Sequence, residues 1–259
     1  MSWLSVETVD SVRWLTFDRP ERKNAIPADG WPVLTEAITS FERSDDRVLV
    51  VTGAGGDFCA GADLESDRFS GVMSITEAHR RMKVVERAAT ALHGTTKPTI
   101  AAVDGVAVGA GMNLALGCDV VVASDRARFS EIFVRRGLTV DFGGTWLLPR
   151  VVGLQRAKEL ALSGRFVEAD EAQRLGLAME VVPAATLRDR VGEVARSFLA
   201  GAPIAQMFAK QGINASFESS FSESIGWEGQ SQSIAFGTED VAEGVSAFLD
   251  KREPEWRGR

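Results

Sequence analysis

The run VDGVAVGAGMNLALGCDVVVASDRARFSEIFVRRGLTVDFGGTWLL, residues 103–148, decides how the chain is read. An apolar strand gives way to the Gly109-Ala110-Gly111 turn, then to a short apolar helix and a second strand. A further turn carries one acid, Asp141, ahead of Gly143-Gly144-Thr145-Trp146. Where a strand hands over to a helix, the first backbone N–H groups lack intrahelical partners and lie at the positive end of the helix dipole. The turn at Ala110 is therefore a ready donor to an anionic oxygen. The rest of the chain reads as walls and ligands around this unit.

Upstream, the apolar strand at 47–52 runs into GAGGDFCAGADL at 53–64. Small residues at 60–62 let a ligand approach the backbone closely, and the Ala62 N–H is a second candidate donor to a carbonyl oxygen. The loop DRPERKNA at 18–25 holds three cations among eight residues. It is either a solvated turn or a place where Arg22 and Lys23 meet phosphates. Segments 3–8 and 12–17 alternate apolar and polar residues around Asp10-Ser11, the pattern of a hairpin. Helices are expected at 28–43 and, after an irregular segment at 66–73, from the capping sequence Ser74-Ile75-Thr76-Glu77 onward. Pro98 precedes the strand at 99–103. Beyond the central unit, helices at 155–163 and 168–175 each stop at a glycine, and a strand spans 178–182. Strand signals then end. Helices are expected at 185–200, 203–217, 222–235 and 238–252, the last with Val241, Val245 and Phe248 on one stripe. The pattern is an α/β protein with parallel strands, dividing near residue 195 from a helical tail that must pack on its own core or on a neighbour.

Composition excludes several function classes. A net charge of -7 and a pI near 5.1 argue against broad polyanion binding, so no nucleic acid is expected. Apolar runs are strand-length, far short of the roughly 20 residues of a membrane span, and the start MSWLSVETVD has no signal-peptide core. A cytoplasmic protein with no membrane partner is expected. Two cysteines, Cys59 and Cys118, form no CxxC pair, and the two histidines, His79 and His93, share one helix without a paired acid. No disulfide and no metal site are expected. With no tyrosine in the chain, chemistry falls to carboxylates and backbone. Gly109-Ala110-Gly111-Met112-Asn113-Leu114 begins like a dinucleotide fingerprint but has Leu114 at the third glycine.

Five motifs in order resemble the crotonase superfamily, the enoyl-CoA hydratase/isomerase family. They are DRPERKNA at 18–25, FCAGADL at 58–64, GVAVGAGMNLALGCDVVVAS at 105–124, GLTVDFGGTWLLPRVVG at 137–153 and AFLDKREPEW at 247–256. The resemblance covers nearly the whole chain. It implies a spiral of ββα units over 1–195 and a helical trimerisation region over 196–259. It also implies a coenzyme A thioester as substrate, no cofactor, and a homotrimer or dimer of trimers. By motif position, the Ala62 and Ala110 N–H groups hold the thioester oxygen. Arg22, Lys23, Ala25, Ala60, Asp63 and Leu64 lie along the CoA, and Lys251 serves a neighbour's CoA.

The departures bear on the reaction. Hydratases resembling this chain use two glutamates, and the corresponding positions here are Asn113 in GAGMNLA and Phe133 in SEIFVRRG. Asp141 stands where isomerase-type members, reading GLxPDxGGTWLLPR, carry their acid, with Val140 in place of the usual proline. The nearest likeness is to ring-epoxide phenylacetyl-CoA isomerases and 3-enoyl to 2-enoyl-CoA isomerases. A double-bond shift needs one acid/base and an oxyanion hole, so Asp141 is the expected catalytic carboxylate. Two alternatives stand beside it: hydration using Glu131, otherwise read as a structural or surface residue, and a catalytically silent acyl-CoA-binding protein. Asn113 either hydrogen-bonds substrate or Asp141, or caps the pocket wall. Phe133, Phe142 and Trp146 line the acyl pocket, or the latter two belong to the core. The segment 66–73 is expected to shape that pocket.

Overall fold

Alternation along four strands sets the architecture of the computed structural model, which describes residues 3–65 and 73–259. The large sheet runs β1-β2-β3-β4-β6-β9. β1 (Leu4–Val9) and β2 (Val12–Phe17) form the expected antiparallel hairpin. β3 (Val48–Gly53), β4 (Thr99–Val103), β6 (Val120–Ser124) and β9 (Glu180–Val182) follow in parallel. Successive side chains point to opposite faces. Leu15, Phe17, Leu49, Val51, Ala101 and Val121 therefore face one core. Val12, Trp14, Val48, Val50, Ile100 and Val122 face another.

The first core is covered by α1 (Gly30–Glu42), through Trp31, Leu34, Ile38 and Phe41, and by α2 (Ile75–His93) and α3 (Ala110–Leu116). Ser74 accepts from the Glu77 N–H at 3.3 Å, so α2 begins where its capping sequence stands. The segment 66–72, expected to be irregular and to shape the acyl pocket, lies outside the described residues. The second core is closed by α7 (Leu187–Leu199), whose Leu187, Val191, Val194 and Ala195 lie against the sheet. The division expected near residue 195 falls inside this helix.

A second sheet, β5-β7-β8, joins β5 (Val106–Val108), β7 (Arg128–Ser130) and β8 (Val167–Glu168). Two of the long strands thus pass through a tight turn into a short strand and on to a helix: β4 into β5 and α3, β6 into β7 and α4 (Gly144–Val152). This is the ββα spiral. It is followed by α5 (Leu154–Ser163) and α6 (Ala169–Leu175). Beyond α7, α8 (Pro203–Ala215), α9 (Phe221–Ala235) and α10 (Glu239–Asp250) bury little of their own. They are tied to the spiral by polar contacts. Lys210 bonds the Lys97 carbonyl at 2.9 Å and Asp119 at 2.8 Å, and the Trp256 indole N–H reaches the Ala200 carbonyl at 2.7 Å. Among the described residues no helix is long and apolar enough to cross a membrane.

Candidate active site

Two strand-to-helix turns meet edge to edge. The Val108 N–H donates to the Cys59 carbonyl at 3.0 Å and the Cys59 N–H to the Val106 carbonyl at 2.9 Å. This pairing lays the 59–62 segment beside the start of α3. Gly111 must be glycine here, because a Cβ would lie 2.2 Å from the Cys59 carbonyl oxygen. Gly109 adopts φ 57° and ψ -127°, a backbone conformation that L side chains avoid, and so turns the Ala110 N–H out of the strand direction. The Gly61 side of the first turn comes as close as 3.4 Å to the Ala110 nitrogen, measured from an ideal Cβ on Gly61. Among the described residues neither the Ala62 nor the Ala110 N–H donates to a backbone carbonyl. Two free amides beside each other, one opening a helix, form a place for a developing oxyanion.

Asp141 arrives from the turn before α4. Its carbonyl accepts from the Gly144 N–H at 3.0 Å and from Asn113 Nδ2 at 2.9 Å, while its buried carboxylate Oδ1 has no partner. Burial pushes the carboxyl up to about 6. Asn113, fully buried on α3, packs its carboxamide against Gly144, where a Cβ would come within 2.4 Å of it. Of the readings open for Asn113, its contacts include the bond to the Asp141 backbone.

Glu131 corrects an expectation. It is not a surface residue: it is 1 % exposed and accepts from Asn113 Nδ2 at 3.3 Å. Burial, reinforced by the nearby Asp141 charge, lifts its carboxyl to about 8. Two acids therefore flank one amide. The signal was a glutamate in an otherwise unremarkable SEIFVRRG, and only the approach of α3, 18 residues earlier, shows where it points.

Around the paired turns, the residues expected along the CoA are held in a web of ion pairs. Arg22 pairs with Glu65 and is partly exposed, and Lys23 lies 3.7 Å from Asp57. Asp63 is buried, bonded by Arg19 at 2.9 Å, and it also accepts from the Glu65 N–H at 3.1 Å. Its carboxylate thus ties two loops together. Ala25 is buried, with its carbonyl taken by Arg19 at 2.8 Å; Ala60 is partly buried and Leu64 exposed. Sequence reading missed Arg19 and Asn24. Asn24 is fully buried and spans the Ala54 and Asp57 carbonyls at 2.8 and 2.6 Å, locking DRPERKNA onto the strand end. Lys251 caps α10 in a left-handed conformation and is exposed.

Phe133 and Phe142 are buried, Phe142 against Trp31 at 5.8 Å between ring centroids. Trp146 is half-buried against His93 and Arg150 and donates to Glu218 at 3.1 Å. With Phe142 it borders a cavity of about 410 Å³ behind the Asp141 turn. A groove of about 820 Å³ lies instead between α8 and α9. Both thiols are buried and pushed up to about 12, so neither is a nucleophile. Among the described residues no three His, Cys, Asp or Glu side chains gather as metal ligands.

Comparison with known proteins agrees with this geometry. A family model described as enoyl-CoA hydratase/isomerase matches residues 7–259. The chain is 38 % identical to a 1,2-epoxyphenylacetyl-CoA isomerase of Escherichia coli (strain K12) over 100 % of both chains. It is 36 % identical, again over 100 % of both, to a 2,3-dehydroadipyl-CoA hydratase of the same organism. A crystal structure of an enoyl-CoA hydratase/isomerase from Cupriavidus metallidurans CH34 superposes with a TM-score of 0.90 at 39 % identity, covering 100 % of this chain and 97 % of that one. With a full-length family match and relatives of both reaction types above 30 % identity, the chain belongs to the enoyl-CoA hydratase/isomerase family and has its crotonase fold.

Proposed function

We propose that the protein isomerises an unsaturated acyl-CoA, moving a double bond from the 3,4 to the 2,3 position with Asp141 as the single acid/base. The Asp141 carboxylate removes a proton from C2. The electron pair moves onto the thioester oxygen, giving a dienolate held by the Ala62 and Ala110 N–H groups. The resulting carboxylic acid returns the proton at C4, and the electron pair flows back to leave the double bond between C2 and C3. The observation that carries this reading is the pairing of two partnerless amides with one partly desolvated aspartate whose proton affinity, near 6, suits reversible transfer at neutral pH. Asn113 and Phe133, where hydratases resembling this chain carry glutamates, support it. Arg22, Lys23, Ala25, Ala60, Asp63 and Leu64 border the CoA in this reading, with Lys251 reaching a neighbour's CoA. Residues 196–259 serve as the oligomerisation region of a homotrimer or a dimer of trimers.

Incubation with trans-3-hexenoyl-CoA in deuterated water tests the assignment. The 2-enoyl product should form, with deuterium at C4 only to the extent that the proton on Asp141 exchanges with solvent before it is returned, and Asp141→Asn should abolish turnover. Absence of any 2-enoyl product, or an Asp141→Asn variant as active as the parent, sinks it. A second reading, hydration, is favoured by the buried Glu131, whose carboxylate accepts from the same Asn113 amide that bonds the Asp141 backbone carbonyl. Water addition to crotonyl-CoA that disappears in Glu131→Gln would select it.

A further inference from the structure

Asn113 has one side-chain NH2 group, and the two acids divide it. It donates to Glu131 Oε2 at 3.3 Å and to the Asp141 carbonyl at 2.9 Å. Among the described residues three buried oxygens here have no partner, Asn113 Oδ1, Glu131 Oε1 and Asp141 Oδ1, while Arg150, whose Nε is also unpartnered, lies over the Trp146 ring and bonds the Trp146 carbonyl. Such a compartment has acceptors in excess and lacks a donor. A proton on Glu131 supplies one.

No cation among the described residues offsets a charge on Glu131. On its own turn, Arg135 bonds the Ser163 carbonyl and Arg136 the Arg135 carbonyl, both at the exposed surface. Across the β7–β8 edge, Arg165 is taken by Glu159 and Glu171. From α3 the facing polar group is the neutral Asn113, and from the turn before α4 it is Asp141, itself an acid. A carboxylate 1 % exposed, with one neutral donor and a like charge for company, is held in its protonated form.

We propose that Glu131 is a positioning residue kept as a neutral carboxylic acid, which fixes through Asn113 the turn that aims Asp141, and whose ionisation sets the alkaline limit of the site. With the proton in place, Asn113 serves both acids and the Asp141 turn is anchored. Once Glu131 ionises, a second negative charge faces Asp141, the compartment loses its donor, and the Asn113 N–H groups are drawn toward the new charge. The inference rests on Asp141 being the proton-transfer group.

Two measurements test it. The first is the pH profile of kcat/KM for trans-3-hexenoyl-CoA. The parent should rise through about 6 and fall through about 8. Glu131→Gln stays neutral at every pH and retains an acceptor for Asn113. It should keep the acid limb, shift the alkaline limb up by at least about one pH unit, and lose no more than about threefold in kcat at pH 7. Glu131→Ala should lower kcat by about tenfold while leaving KM within about twofold.

The second is thermal stability against pH. The unfolded Glu131 ionises near 4.5 and the folded one near 8, so the native state holds an extra proton between these values and loses stability as pH rises through them. The Tm advantage of Glu131→Gln over the parent should therefore grow from pH 5 to pH 8 and level off above. An alkaline limb that survives in Glu131→Gln, or a Tm difference that is flat across this range, overturns the proposal. Absence of any turnover by the parent removes the isomerase reading instead, and the stability comparison then decides the protonation of Glu131 alone.

Discussion

In the proposed isomerisation, Asp141 gives up stability for its chemistry. Its carboxyl ionises near 3.8 in an ordinary setting and near 6 in the folded protein. Between those values the native state keeps a proton that the unfolded chain has released, so stability falls as pH rises through the window and is level above it. Asp141→Asn removes this cost: at pH 7 it should stabilise the fold by roughly 1–3 kcal/mol while lowering turnover on the order of a thousandfold. Calorimetry and kinetics on one preparation check both signs, and a variant that is neither more stable nor impaired refutes the role. Asp141 was legible as a candidate because a lone acid before Gly-Gly-Thr-Trp has few structural duties. Glu131 was not. Its burial depends on a contact with Asn113 across 18 residues of chain, and nothing in SEIFVRRG distinguishes a glutamate facing the core from one facing water. Asp63 was legible as a candidate site residue but not as an ion-pair partner, since Arg19 lies 44 residues away.

At the level of elements, the proposed oxyanion site depends on α3 and on how its first residue is presented. Gly109 has room for a methyl group, whose nearest neighbour would be Phe133 at 3.5 Å, but its φ of 57° does not suit alanine. Gly109→Ala is therefore a test of backbone conformation rather than of packing. It should cost about 1–2 kcal/mol of stability and misaim the Ala110 N–H, lowering kcat by up to the roughly hundredfold that loss of one oxyanion donor brings. KM should move little, because the amide acts on charge that develops in the transition state. A fall in KM-limited binding with kcat preserved would place the oxyanion elsewhere. The strands and helices around this turn were readable because their apolar periodicity runs for five residues or more. The small sheet was not, for β5 and β7 are three residues long and β8 two, too short for alternation to register. Yet those strands hold the two donor turns together, through the Cys59 to Val108 pairing.

On the scale of the whole molecule, the two halves of the chain obey different rules. The spiral packs its central strands between two cores, whereas α8, α9, α10 and the turns after them leave Ile213, Phe217, Phe221, Phe236, Phe248 and Leu249 at the surface. The apolar stripe at Val241, Val245 and Phe248 was visible in the sequence as periodicity, but periodicity records that a face is apolar and not what covers it. An exposed apolar expanse of this extent beside a groove of about 820 Å³ supports the oligomerisation role proposed for these helices. The purified protein should therefore have three times the 27.9 kDa chain mass, or six times, by light scattering. Phe221 and Phe248 are 83 % and 82 % exposed in the single chain, so a charge at either changes the stability of an isolated chain by only about 0.5 kcal/mol. Phe221→Glu combined with Phe248→Glu should consequently give a folded species of one chain mass, with a lower Tm than the parent because the coupled gain from association is gone. A parent of single-chain mass, or a double variant whose mass and Tm match the parent, would show that these helices cover nothing and that the spiral stands alone.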